Sequence, residues 1–301
     1  MATTTEPAPL LPALPPAVRG AGTTRASSRR RTGLVVRHLV LIVLAVTTII
    51  PVLLVISTAL KTQAEARVDP FGLFTDFSME SIVSAWTDGQ FSDYLLNSVL
   101  LSVPSTLLIL VISTMAGYTF ARLPFPGRTV IFYVVVLGLL VPFFTYMIPL
   151  YFQLRSMGLL DTLTGTVLVL TSTGTSFGTF FMRAFFSELP EELEQAARID
   201  GCSEWRIFTS VMLPLVSSGI GALAVFTFIS TWNNFLVPLL YLPTGGYRPL
   251  TTALYVFTGG RSVDVAPLAA GTLITILPII VLFVVLQKQV TAGFISGAVK
   301  G

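Results

Sequence analysis

Six long apolar stretches are the feature that most restricts how this chain can fold. They cover roughly residues 38–60, 94–120, 130–152, 162–182, 211–241 and 266–287. A helix that crosses the hydrocarbon core of a membrane needs about 20 mostly apolar residues. The stretches are continuous rather than alternating, which favours helices over the strands of a barrel. The sequence therefore predicts an all-α, polytopic membrane protein with six transmembrane helices.

The composition excludes several other classes of protein. Only 11% of the residues are charged and 53% are hydrophobic, whereas soluble domains carry about 25% charged residues. A soluble globular protein and a mainly disordered chain are both excluded. The chain has one cysteine, Cys202, and one histidine, His38. We therefore predict no disulfide framework, no metal site and no catalytic residues.

The basic residues indicate the orientation in the membrane. Cytoplasmic connections are enriched in Lys and Arg, and 13 of the 18 basic residues fall in the two tails and in the second and fourth loops. Both termini are therefore expected in the cytoplasm, and the net charge of +3 does not require a nucleic-acid partner. The expected segments are a disordered cytoplasmic tail, a first helix with an outer loop, the main transmembrane domain and a cytoplasmic C-terminal tail, at 1–36, 37–92, 93–288 and 289–301. A cleaved signal peptide is less consistent with the first apolar run, which is long and lacks a small-residue exit.

No charged residue lies in the middle of a predicted span. Ion-coupled carriers normally use an ionisable group inside the membrane. The sequence also lacks a G-x-x-x-x-G-K-[ST] phosphate loop. Uphill transport would therefore need energy supplied by another polypeptide.

The fourth loop, about residues 187–215, is unusually long and polar for this chain. Pro190 suits the start of a helix, Glu191 and Glu192 favour its positive end, and Gly201 suits its C-terminal cap. Ser203 is expected to cap a second helix.

Helical spacing predicts which residues of this loop share a face. Leu193, Ala196 and Ala197 form one such group in the first helix. The second group, in the next helix, is Trp205, Phe208, Met212 and Leu215. A simple connector between two spans is the alternative interpretation of the loop.

The order Glu194-Gln195-Ala196-Ala197-Arg198-Ile199-Asp200-Gly201, followed by Leu213-Pro214, resembles the EAA loop of binding-protein-dependent ABC importer permeases. Further segments resemble the maltose-type sugar permeases of that family, and the resemblance covers about residues 35–301. These segments are Asn97-Ser98, Gly117-Tyr118, Ala121-Arg122, Phe125-Pro126-Gly127-Arg128, Ile148-Pro149-Leu150, Gly158-Leu159-Leu160-Asp161-Thr162, Thr231-Trp232-Asn233-Asn234-Phe235 and Gly293 to Gly301.

The resemblance implies that the fourth loop is the coupling helix that docks on a separate ATPase subunit. The implied coupling residues are Glu191, Glu194, Gln195, Ala196, Ala197, Asp200 and Gly201. Gln195 stands where the family motif has a glutamate. Glu194 lies about 100° round the helix from Gln195, whereas Glu191 is one turn away on the same face. Glu191 is therefore the expected substitute.

The resemblance also implies a type I permease architecture and a set of partners in a bacterial cell membrane. The expected partners are a second homologous permease, two ATPase subunits that bind ATP and magnesium, and an extracytoplasmic solute-binding protein. The chain itself would hold no cofactor and would be non-catalytic. A sugar is the expected solute, and a polyol or a glycerophosphodiester is the alternative. A secondary carrier or channel and a non-transporting scaffold are the other classes considered.

Polar and aromatic residues near span ends are candidates for the solute pathway: Asn97, Trp232, Asn233 and Asn234. Amides in such places either bond neighbouring helices or line a route for a hydroxylated solute, and the sequence leaves both interpretations open. Phe143, Phe144, Phe177 and Phe180 are interpreted as packing residues.

Overall fold

The computed structural model of the chain describes residues 23–72, 77–87, 90–254 and 265–298. All regular elements in these ranges are helices, which confirms the predicted all-α class. They are α1 (Thr23–Ala59), α2 (Gln63–Val68), α3 (Glu80–Thr87), α4 (Phe91–Arg122), α5 (Arg128–Leu137), α6 (Phe143–Ser156), α7 (Leu163–Ser187), α8 (Glu192–Ile199), α9 (Glu204–Arg206), a π-helical segment (Ile207–Met212), α10 (Leu213–Leu215), α11 (Ser217–Trp232), α12 (Leu236–Tyr241), α13 (Leu250–Ala253) and α14 (Val265–Ala298). The described part of the chain divides into two units at the boundary between Leu53 and Leu54.

The first helix begins earlier than expected. Residues 23–36 were predicted to belong to an irregular tail, whereas α1 starts at Thr23. Extending an existing helix avoids the cost of nucleation, and the Ala and Arg residues of this stretch are good helix formers. Residues 1–22 and 299–301, including Lys300, lie outside the described residues, as do Asp76 and Arg261.

Three helical segments in the described ranges are long and apolar enough to cross a membrane: Val36–Ala59, Phe91–Arg122 and Val265–Val285. A fourth candidate is the pair Glu204–Leu215 and Ser217–Trp232, which is bent by 76°. The third predicted stretch is divided between α5 and α6, because Pro142 disfavours helical backbone at the residue before it. The fourth predicted stretch forms α7, whose many Thr, Ser and Gly residues lower its hydropathy.

Helices α4 and α7 pack closely through glycine. A Cβ added to Gly117 would lie 2.7 Å from the Cβ of Met182 and 2.9 Å from the backbone nitrogen of Arg183. One added to Gly178 would lie 2.2 Å from the Oγ of Ser113. Small residues of this kind let membrane helices approach closely without a hydrophobic driving force. These two helices form the scaffold that positions both regions described below.

Candidate functional site

The turn after α8 has the geometry predicted for it. Gly201 has a left-handed φ of 79°. The Cys202 N–H donates to the Ala197 carbonyl at 3.0 Å, and the Gly201 N–H donates to the Arg198 carbonyl at 3.0 Å. These two bonds define a Schellman cap. The Ser203 hydroxyl accepts from the Arg206 N–H at 3.4 Å, so both predicted caps are confirmed.

The second helix of this loop differs from the prediction. Phe208 and Met212 are buried, but Trp205 is 63% exposed and Leu215 is 50% exposed. The π-helical segment between them adds a residue to the turn and rotates the register. Pro214 also lacks the N–H that would bond the preceding turn. The four residues therefore do not share a face.

Helix α8 presents two faces that differ sharply in exposure. Glu194 and Ala197 are 4% and 7% exposed and face the protein's own core. The other implied coupling residues are exposed: Glu191, Gln195, Ala196, Asp200 and Gly201. The expected common face of Leu193, Ala196 and Ala197 is therefore wrong for Ala197, which packs in the cluster that contains Tyr118 and Met212.

The Glu194 side chain is held between two arginines. Its Oε1 lies 3.5 Å from Arg122 Nε, and both side chains are 6% exposed. Its Oε2 lies 3.4 Å from Nη2 of Arg198. Arg198 also bonds Glu204, with 2.8 Å between Nε and Oε1, and this hydrogen bond raises the pKa of Arg198. The four residues Arg122, Glu194, Arg198 and Glu204 are called the four-charge network below.

Arg122 belongs to one of the motifs named above, but its contacts in the fold were not predicted from the sequence. Its Nε and Nη2 donate to the Phe186 carbonyl at 2.9 and 2.5 Å. Nη2 also donates to the Leu189 carbonyl. The guanidinium therefore caps the C-terminal end of α7, where partial negative charge favours a cation. Arg122 and Phe186 are far apart in the sequence, so no local sequence pattern predicts this contact.

A charged cleft of about 450 Å³ opens between α8 and the turn at 121–128. It is lined by residues of the four-charge network together with Glu191, Gln195 and Arg128. Next to it, a Cβ at Gly201 would have no neighbour within 4 Å. The exposed face of α8 and its terminal turn are thus open to a second protein.

A separate cavity of about 480 Å³ lies between α4, α6, α7, α11 and α12 and is partly open to the surface, where Phe144 is 69% exposed. It adjoins two places where a helix is interrupted, between α5 and α6 and between α11 and α12. Interrupted helices near the middle of a membrane commonly form solute sites. Four phenylalanines and five hydroxyl or amide side chains line the cavity: Phe143, Phe144, Phe177, Phe226, Thr173, Thr227, Ser230, Thr231 and Asn234.

The structure separates the four residues predicted for the pathway. Asn234 lines the cavity, and its Oδ1 accepts from the Val237 N–H at 3.0 Å. Trp232 is 3% exposed and donates to the Thr275 carbonyl at 3.0 Å, so it joins α11 to α14 instead. Asn97 donates to the Arg248 carbonyl at 3.1 Å, which is a packing role. Asn233 is exposed at the end of α11 and does not line this cavity.

Three of the phenylalanines interpreted as packing residues, Phe143, Phe144 and Phe177, also line the cavity. Phe143 packs against Tyr241 and Phe177 against Phe181, so the packing interpretation is confirmed for these two. The run of Thr and Ser residues at 171–176 in α7 is the sequence feature that could have indicated this cavity. A span that carries so many Thr and Ser residues must satisfy them within the protein or along a polar route.

A glycine-packed helical bundle with bent helices, a partly open cavity and an exposed loop helix is the arrangement expected of a membrane permease. Residues 109–293 match the family described as the binding-protein-dependent transport system inner membrane component. The chain belongs to this family, and the resemblance found in the sequence is confirmed.

Curated relatives cover most of the chain. It is 34% identical to the diacetylchitobiose uptake system permease protein of Streptomyces coelicolor, over 91% of each chain. It is 33% identical to the arabinooligosaccharides transport system permease protein of Halalkalibacterium halodurans, over 84% of this chain and 91% of that one. It is 31% identical to the trehalose transport system permease protein of Mycobacterium tuberculosis, over 84% and 93%.

The fold is also similar to that of a solved transporter chain. That chain comes from a bacterial ABC transporter involved in the import of the acidic polysaccharide alginate, with a TM-score of 0.72 and 22% identity. The match covers 91% of this chain and 99% of that one. The type I ABC permease fold is therefore established for this chain.

Proposed function

We propose that this chain is one permease subunit of an ATP-driven importer that carries a neutral sugar across a bacterial cell membrane. Its partners are a second, homologous permease, two ATPase subunits and an extracytoplasmic solute-binding protein. ATP and magnesium bind to the ATPase subunits. The family match and the three sugar-transporting relatives support the proposal.

The proposed topology has six spans with both termini in the cytoplasm. In it, α5 with α6 form the third span and α11 with α12 complete the fifth. The distribution of the 18 basic residues supports this orientation. In a Cys202→Ser background, a cysteine near Gly245 should react from outside intact spheroplasts, and one near Arg198 should not. Outside labelling near Arg198 would contradict the topology.

The observation that carries the proposal is the exposed surface formed by α8 and Gly201. The described part of the chain leaves it uncovered, and Ala196 and Gly201 present almost no side chain there. A short helix with such a surface suits insertion into a cleft of an ATPase subunit. Movement of the two ATPase subunits would then be passed to the permease as alternating access.

The cavity between α4, α6, α7, α11 and α12 supports a sugar or a polyol as the solute. Hydroxyl and amide groups can exchange hydrogen bonds with sugar hydroxyls, and phenylalanine rings offer faces for the apolar side of a sugar ring. None of the described residues that line the cavity is charged. A glycerophosphodiester, which is anionic, is therefore less well matched than a neutral solute.

The test is uptake by vesicles that contain the assembled complex. Uptake of a disaccharide such as trehalose or diacetylchitobiose should require ATP and the solute-binding protein. Uptake driven by an ion gradient, without ATP, would identify a secondary carrier instead. No flux of any sugar or polyol in an assembled complex would contradict the proposal.

Two matched pairs of variants test the docking surface. Gly201→Asp should prevent co-purification of the ATPase. Gly201→Ala also places a side chain at the left-handed φ, where it is no better tolerated than Asp, but adds no charge and little bulk, and should retain the ATPase. Glu191→Ala should weaken ATPase association, and Glu192→Ala, an exposed acid next to it, should have little effect. Normal ATPase binding and uptake by Gly201→Asp would mean that α8 is only a connector.

A further inference from the structure

The ion pair between Arg122 and Glu194 lies in a nearly closed junction, with each side chain 6% exposed. Removing two charges from water is costly, and apolar residues of similar size often stabilise such a site as well or better. Among the described residues Glu194 Oε1 has no hydrogen-bond partner, so the pair is not optimised for stability. Stability therefore does not explain why two charged residues occupy this junction.

Arg122 joins three elements through one rigid group. It is the last residue of α4, its guanidinium holds the carbonyls of Phe186 and Leu189 at the end of α7, and it faces Glu194 of α8. Arginine suits this task because its planar donors keep a fixed mutual geometry. A displacement of Glu194 would therefore also displace the C-terminal ends of α4 and α7.

Helix α8 has few other attachments. Only Glu194 and Ala197 of its eight residues are buried. Ala197 contacts the apolar cluster of the π-helical segment and α4. Among the described residues, the ion pair with Arg122 is the direct polar link from α8 to α4 and α7. Arg198 adds an indirect link to α4 through Glu204, which interacts with Tyr118. The helices α4 and α7 also carry Ile109, Thr173 and Gly174 of the cavity lining.

We infer that Arg122 and Glu194 are positioning residues that pass movement of α8 to the rigid pair of α4 and α7, and so to the cavity. This inference rests on the proposed function. The outer half of the four-charge network, Arg198 with Glu204, is 42% and 52% exposed and is screened by solvent. It contributes less to this link.

The experiment measures transport and ATP hydrolysis together in vesicles with the complete complex. Glu194→Gln keeps the size of the side chain but removes its charge. We expect the ATPase to remain bound and to hydrolyse ATP, while the sugar carried per ATP falls about tenfold, within the usual range of coupling effects. Arg122→Lys keeps the charge but loses the planar fork, and we expect a smaller fall in the same ratio.

Glu192→Gln is the matched control, because it removes an exposed charge from α8 that lies outside the four-charge network. Its transport per ATP should stay close to that of the unmodified complex. An unchanged ratio in Glu194→Gln would overturn the inference, while uptake by the unmodified complex would leave the proposed function intact. If neither Glu194→Gln nor Arg122→Lys assembles, the pair serves folding and the inference is wrong. Absence of ATP-driven uptake by the unmodified complex would instead contradict the proposed function.

Discussion

Replacement of Gly117 by alanine tests the closeness of α4 and α7 directly. The added Cβ would lie 2.7 Å from the Cβ of Met182, and 2.9 Å from the carbonyl carbon of Met182 and the nitrogen of Arg183. Carbon atoms pack best at about 3.5–4.0 Å. The helices would therefore have to separate by roughly 1 Å at this point.

The expected change in the free energy of unfolding follows from two opposing effects. Overpacking of a close-packed interior costs about 1–3 kcal/mol, and the upper part of that range applies because backbone atoms, not a flexible side chain, stand in the way. Alanine in a helix recovers about 0.5–1 kcal/mol relative to glycine. The net expectation is a loss of about 2 kcal/mol in the free energy of unfolding.

Two further glycines supply graded controls. At Gly174 the added Cβ would meet the Cδ1 of Ile109 at 2.5 Å, which is the movable tip of a side chain. At Gly246 it would meet nothing within 4 Å. Alanine should therefore lower the free energy of unfolding most at position 117, less at position 174 and not at position 246.

The assay is thermal unfolding of the purified complex in detergent, followed by the loss of the monodisperse peak on gel filtration. The Gly117→Ala complex should unfold several degrees below the unmodified one, with Gly174→Ala between them. Equal midpoints for Gly117→Ala and Gly246→Ala would refute the reasoning, because they would mean that α4 and α7 do not touch as closely as described.

Three other substitutions have expected outcomes of their own. Gly201→Ala should lower the unfolding free energy by roughly 1–2 kcal/mol because its φ of 79° is left-handed, as measured by the same thermal assay. Trp232→Phe should cost about 1–3 kcal/mol because the Thr275 carbonyl loses its buried donor; an unchanged midpoint would show that this bond is unimportant. Asn234→Ala should raise the solute concentration needed for half-maximal uptake and lower stability by about 1 kcal/mol, because Val237 loses its capping partner; unaltered uptake kinetics would remove Asn234 from the pathway.

The two candidate regions depend on the same scaffold. Helices α4 and α7 end at the junction held by Arg122 and carry part of the cavity lining further along. A change at the exposed loop and a change in the cavity are therefore expected to influence each other through these helices. This expectation connects the stability test at Gly117 to the transport test at Glu194.

The sequence by itself was sufficient for features that depend on composition or on a few adjacent residues. The apolar stretches required an all-helical membrane protein. The turn at Gly201 and the cap at Ser203 could be predicted because each is made by bonds within about five residues. The order of residues in the fourth loop was also enough to indicate the family.

Only the tertiary structure decided which way the charged and polar side chains face. Glu194 turns inward because Arg122, far away in the sequence, is already anchored on the carbonyls of α7. Trp232 is a packing residue because a carbonyl of α14 accepts its N–H, and Asn234 lines the cavity because α11 ends beside it. Such contacts join residues that are distant in the chain, and helical periodicity carries no information about which distant element will pack on a given face.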